Sequence, residues 1–321
     1  MANTLVVGND GGGDIQGIGD LSGAVHSLVG PNGHQLSDYL NGGLADHGGP
    51  TRTIALANKV ANLALKAGDG TTCATAPVSG IDQRGVTRPS NCDVGAFELE
   101  SVAPTTSTPR TGFATGVQLT SGGTRGTVTW TAGDPGGSGV VRYAVARSVN
   151  GGAWTTLSGS LTQPRMSVTL ASGRTYQFRV RAVDRDGNTG AWVKGPVVTG
   201  RLVQQTSRAV AFKGTWAGTT SASFSGGSAR RSSSAGASAT FAFTGRAVAL
   251  VSTLGTNRGR VSIFVNGAWD QTVDLGRPGL TYRAQVWSKS WATSGSRTIK
   301  VVVVGTPGRP RVDADAFAVL R

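Results

Sequence analysis

Beyond Val117, apolar and polar residues alternate with a period of two, the pattern of strands that turn one face to a core. Val128 and Trp130 share a face within residues 126–131. Val141, Tyr143, Val145 and Arg147 fall on one face of the next run, with Arg142 and Ala144 on the other. Tyr176, Phe178, Val180 and Ala182 point one way, while Gln177, Arg179 and Arg181 point out. Further strand-like runs occupy 241–244, 248–252, 260–265, 298–304 and 311–320, and Asn150-Gly151 and Asn266-Gly267 are hairpin turn signals. Residues 3–45 differ: short apolar segments (4–7, 24–25, 27–29) are separated by Gly, Asn and Asp corners. That spacing predicts stacked short strands of a solenoid, each burying its apolar residues on the next. Residues 53–66 fit a short helix or, through their Ala/Leu alternation, a strand.

Composition agrees with many short strands joined by tight turns, since the 321 residues include 49 glycines. The net charge of +14 is unevenly spread: residues 1–104 hold 5 Lys/Arg and 10 Asp/Glu, residues 105–200 hold 10 and 3, and residues 201–321 hold 16 and 4. A basic balance favours nucleic acid, anionic glycans or envelope polymers. However, no basic run exceeds Arg230-Arg231, and the 25 arginines against 6 lysines are what a GC-rich bacterial genome would give. Solvated strand faces are therefore the simpler reading, and nucleic acid is the weakest of the partners. There is no apolar window of membrane-spanning length and no visible signal peptide. Cys73 and Cys92 lie in one segment and suit an intradomain disulfide in an oxidising compartment; two unrelated buried thiols are the alternative. His26, His34 and His47 lack ligand spacing for a metal.

Three stretches carry family resemblances. Residues 47–56, Cys73, Asp82-Gln-Arg-Gly85, Arg88-Pro89 and Cys92-Asp-Val-Gly-Ala-Phe-Glu98 resemble the closing segment of choice-of-anchor Q proteins. This resemblance implies a bacterial surface protein with a right-handed parallel β-helix. Only about two rungs are present, so the chain is expected to be the C-terminal part of something longer. Trp130, Leu170-Ala-Ser-Gly-Arg-Thr-Tyr176 and Ala182-Val-Asp-Arg-Asp-Gly-Asn188 resemble a fibronectin type III domain, which implies that Tyr176 is its tyrosine corner. Residues 261–267, 296–302 and 312–317 resemble galactose-binding-like, carbohydrate-binding-module jelly rolls. The expected architecture is all-β. It comprises the end of a right-handed parallel β-helix (1–100), a Pro/Thr/Ser linker (101–112), a fibronectin III-like sandwich (113–199) and a jelly roll (200–321), the last two being antiparallel sandwiches in tandem.

Candidate chemistry follows from these placements. Asp82 and Glu98 flank Arg84 and Arg88 in a segment with little secondary structure, and charge-assisted pairs among them would clamp it as a solenoid cap. Trp269, Trp287 and Trp291, with Tyr282, offer rings for stacking on sugars, and Arg283 and Lys289 offer donors. The competing reading places Trp287 and Trp291 in the core. Asp313 and Asp315 would pair with Arg309 or Arg311, or hold a structural calcium ion; no other cofactor is expected. Asp184-Arg-Asp-Gly-Asn188 resembles part of a calcium loop but lacks its remaining ligands, and reads as a turn. Catalytic motifs are absent from the sequence, and its only glutamates are Glu98 and Glu100. The expected function is a non-catalytic, monomeric, extracellular or cell-surface protein that binds glycan or envelope polysaccharide. The alternative is the tail of a secreted polysaccharide-degrading enzyme whose catalytic β-helix lies upstream.

Overall fold

The computed structural model describes residues 5–6, 28–29, 39–59 and 62–321. Strand outweighs helix by 53% to 3%, with large antiparallel sheets, so the chain is all-β. The segment 24–25, His26 and His34 lie outside the described residues. Leu5–Val6 and Leu28–Val29 pair in parallel, Leu5 opposite Leu28.

The chain divides into two compact units. The first comprises residues 1–106, 132–144 and 181–191, and the second 107–131, 145–180 and 192–321. Residues 113–199 are thus shared between them.

In the first unit, the ambiguity over residues 53–66 resolves to a strand, Thr53–Leu56, paired antiparallel with Leu40–Ala45, while residues 63–66 form a turn. Thr53, Ala55 and Leu56 are buried. A short α-helix, Gly70–Ala74, starts where Asp69 caps it, its side chain accepting from the Thr72 N–H at 2.7 Å. Cys73 on that helix is bonded to Cys92. A cross-link spanning 19 residues restricts the unfolded chain by about 3 kcal/mol. Tyr39, Leu56, Ala64, Val94 and Phe97 form the small core.

In the second unit, the strands Ser238–Leu254 and Thr281–Val303 pair antiparallel over most of their length, with register shifts after Gly245, Leu250 and Ser252. Gly245 is required there: a Cβ would stand 2.6 Å from the Leu320 carbonyl oxygen. Ala316–Leu320 flanks one of these strands and Arg260–Val265 the other. Phe241, Leu250, Ile263, Trp287, Ile299 and Phe317 lie in the core beneath them, with the Phe241 and Phe317 rings stacked at 4.7 Å. The expected alternation holds at Thr124–Thr129, where Thr124, Gly126 and Val128 are buried. It fails in the strand Val140–Val149, which the two units share, where residues 143–146 are all buried and the alternation is lost. Tyr176 is buried and its hydroxyl accepts from the Ala171 N–H at 2.8 Å, which ties the preceding turn to the strand Thr175–Asp184.

Candidate functional site

The arginines and acids of the closing segment are turned inward. Arg84 Nε meets Asp82 Oδ2 at 2.9 Å, its Nη1 meets Asp186 Oδ1 at 2.7 Å, and its Nη2 donates to the Glu98 carbonyl. The guanidinium also lies 3.5 Å over the Phe97 ring. Arg88 meets Glu98 Oε2 at 2.8 Å and donates to the Asp93 and Gly95 carbonyls. Side chains closed on one another in this way hold a loop together.

The aromatic candidates do not form one platform. Trp287 is 1% exposed, and its Nε1 donates to Asp270 Oδ2 at 3.0 Å, so it belongs to the core and cannot stack on a sugar. Lys289 pairs with the other oxygen of Asp270. Trp269 is 63% exposed on the strand Ala268–Asp274. Tyr282 packs edge-on against Phe224 at 5.1 Å, and Arg283 donates Nε and Nη2 to the carbonyls of Ser223 and Ala222. Arg283 therefore holds a loop.

Arg283 borders a cavity of about 470 Å³, whereas Trp291 lines a different cleft, one of about 510 Å³. The strand pair Arg110–Phe113 and Thr124–Thr129 forms one wall, with Arg110 opposite Thr129 and Gly112 opposite Thr127. Alternation explains this wall: the inward residues of Thr124–Thr129 fill the core, leaving Thr127 and Thr129 to face out. Lys194, Arg246, Ser290 and Trp291 complete the lining. Gly112 lies close to the strand Thr281–Val303, since a Cβ there would be 2.6 Å from Ser290 Oγ. The half-buried Trp291 ring is held by Arg297, whose guanidinium stacks on it at 4.2 Å and donates to the Gly245 carbonyl at 2.6 Å. Three cations, several hydroxyls and one indole therefore surround the cleft, and no carboxylate is among the residues lining it. Beside Lys194, Arg179 is sandwiched between Trp154 at 4.5 Å and Trp192 at 4.4 Å. Sequence reasoning missed Arg110, Lys194 and Arg246, because nothing local relates three segments that lie so far apart.

Asp313 and Asp315 do not act together. Asp313 is held by Arg258 at 2.6 Å and Arg311 at 2.9 Å. Arg309, the other expected partner, turns to Asp274, and this hydrogen bonding holds the Asp274 carboxyl well below the usual range. Asp315 is fully buried, and both its oxygens face the Ser225 N–H at 3.0–3.1 Å. Its carboxyl is pushed up to about 7, chiefly by burial. The folded chain therefore keeps this proton up to about pH 7, while the unfolded chain releases it near 3.8, as an ordinary aspartate does. Stability should fall as pH rises across that window, by roughly 2–4 kcal/mol. Glu98, pushed up to about 7 by burial despite Arg88, adds to the same slope. Urea unfolding of wild type and Asp315→Asn between pH 4 and pH 8 separates the two contributions. The variant should lose much of the slope, and an unchanged slope would contradict this assignment.

Among the described residues, Glu100, Asp134 and Asp184 form a group able to hold a metal ion.

No protein-family model matches the chain, and no curated protein matches it. Solved structures similar to part of it include the CBM36-1 domain of a multidomain xylanase from the hindgut metagenome of Trinervitermes trinervoides (13% identity, 38% of this chain, 96% of that chain, TM-score 0.30). A two-domain esterase active on acetylated mannans matches at 15% identity over 38% of this chain and 36% of that one, with a TM-score of 0.32. The catalytic domain of a GH87 alpha-1,3-glucanase, in complex with nigerose, matches at 16% identity over 37% of this chain and 28% of that one, with a TM-score of 0.29. The chain thus spans little more than a third of the esterase and little more than a quarter of the glucanase.

Proposed function

We propose that this chain is a non-catalytic modular protein of the extracellular space or bacterial surface, and that its second unit binds an acidic polysaccharide in the Trp291 cleft. The observation that carries this reading is the lining itself: an indole, Arg110, Lys194, Arg246 and threonine hydroxyls, with no carboxylate. Indole faces stack on the apolar faces of sugar rings, and guanidinium groups pair with sugar carboxylates or sulfates. A volume of about 510 Å³ also lies within the usual range for small-ligand sites, about 300–1,000 Å³. Glycoside hydrolysis at this cleft would need two flanking carboxylates, which the lining does not supply. The Cys73–Cys92 bond supports an oxidising compartment, and among the described residues no helix is long and apolar enough to cross a membrane. In this reading residues 113–199 are a fibronectin III-like sandwich that lends Thr127, Thr129 and Lys194 to the cleft, residues 200–321 a carbohydrate-binding jelly roll that lends Arg246 and Trp291, and residues 1–100 the end of a β-helix. The parallel pairing of Leu5–Val6 with Leu28–Val29 supports the last of these.

The test is affinity electrophoresis of the full chain through gels containing polygalacturonate, neutral mannan or duplex DNA. Retardation should be strongest with polygalacturonate and should weaken with salt. The double substitution Arg110→Ala/Arg246→Gln should weaken binding by about 10- to 100-fold. Equal retardation by mannan, or binding indifferent to the double substitution, would overturn the reading. Stronger retardation by DNA would transfer the cleft to nucleic acid.

A further inference from the structure

We infer that the first unit carries a calcium site formed by Glu100, Asp134 and Asp184. The three come from separate places in the chain: just beyond the closing segment, from the turn at 134–139, and from the end of the strand Thr175–Asp184. One carboxylate oxygen of each lies within 4.8 Å of the others. Each side chain is fixed by a backbone donor to one of its oxygens. Ser138 N–H donates to Glu100 Oε2 at 2.6 Å, Gly139 N–H to Asp134 Oδ2 at 2.8 Å, and Asn188 N–H to Asp184 Oδ1 at 2.7 Å. Asp184 is 1% exposed, and its remaining oxygen, Oδ2, is enclosed and accepts no hydrogen bond.

Elsewhere in this arginine-rich chain the buried Asp82 and Asp313 meet arginine, while Asp93 and Asp315 are held by backbone N–H groups on both of their oxygens. Among the described residues no Lys or Arg pairs with Glu100, Asp134 or Asp184, and the nearby Arg84 is committed to Asp82 and Asp186. The Glu100 and Asp184 carboxyls are pushed up, first by burial and then by their acidic neighbours, as expected for like charges gathered without a counter-ion. Gly137 lets the turn close over the group: a Cβ there would collide with Glu100 Oε1 and stand 2.6 Å from Asp134 Oδ2.

Calcium fits this donor set. It takes oxygen ligands at about 2.3–2.6 Å, so oxygens around one ion lie at most about 5 Å apart, and it completes its shell with carbonyls and water. The group contains neither Cys nor His, which zinc sites favour. Asp184-Arg-Asp-Gly-Asn188 resembles a fragment of a calcium loop, and the missing carboxylates come to Asp184 from remote parts of the chain. Bound calcium would join the turn at 134–139 to the end of the strand Thr175–Asp184.

The test is thermal unfolding and calorimetric titration of the EDTA-treated full chain with calcium chloride up to about 10 mM, since extracellular sites bind at about 0.1–1 mM. Saturation should raise Tm by about 3–8 °C, and magnesium chloride should do markedly less. Glu100→Gln and Asp134→Asn should each abolish the calcium increment without lowering the metal-free Tm, because each removes one of the crowded charges. Asp274→Asn, which touches the Arg260 and Arg309 pairs and the Gly276 N–H but none of the three carboxylates, should keep the increment. The proposal is overturned if wild type shows no calcium-dependent shift, or if the increment survives in Asp134→Asn. Because the three carboxylates share no residue with the cleft lining, this result stands whatever the glycan assays show.

Discussion

Replacing Arg84 by methionine is expected to destabilise the first unit by about 3–5 kcal/mol. The methionine retains much of the packing on Phe97, so the loss would come from the charges. Asp82, 4% exposed, would lose its side-chain partner, and the Asp186 side chain, 3% exposed, would lose its guanidinium. A carboxylate left unpaired away from water is the expensive outcome, far more so than the absence of the pair. The triple variant Arg84→Met/Asp82→Asn/Asp186→Asn should therefore recover part of the lost stability. Urea unfolding followed by far-ultraviolet circular dichroism measures both; a loss below about 1 kcal/mol for Arg84→Met would mean that the network is not structural.

Trp287→Ala should cost a further-reaching 3–5 kcal/mol or thereabouts in the second unit, the usual scale for truncating a buried tryptophan. The ring lies in the core with Leu250, Ile263 and Ile299, and its loss would also leave Asp270 with Lys289 as its remaining side-chain partner. In contrast, binding per folded molecule should be unchanged, because the indole faces no cleft. Denaturation midpoints combined with binding at low temperature separate these effects. Weakened polysaccharide binding at full stability would return Trp287 to the binding surface.

These two residues also show what the sequence made legible. Arg84 was readable because its partners Asp82 and Glu98 stand close in the chain and the segment has little hydrogen-bonded structure of its own. Asp186, more than a hundred residues away, was not. Strand phase was readable at Thr124–Thr129, where one face is buried, and failed at residues 143–146, where burial of both faces erases the alternation. Trp287 and Trp291 are four residues apart and looked alike. Only the placement of neighbouring strands separates them: Trp287 lies beneath the sheet, whereas Trp291 faces the Arg110–Phe113 wall. The group of Glu100, Asp134 and Asp184 was not legible: residues 184–188 read as a turn, and nothing local relates Asp184 to Glu100 and Asp134.

The central claim is that polysaccharide meets this chain at Trp291. Tryptophan fluorescence during titration with oligogalacturonate, compared in wild type, Trp291→Phe and Trp269→Phe, tests it most directly. A saturable change that survives Trp269→Phe and is lost in Trp291→Phe is the predicted result. A change lost in Trp269→Phe and kept in Trp291→Phe would contradict it, and would move binding to the exposed strand Ala268–Asp274.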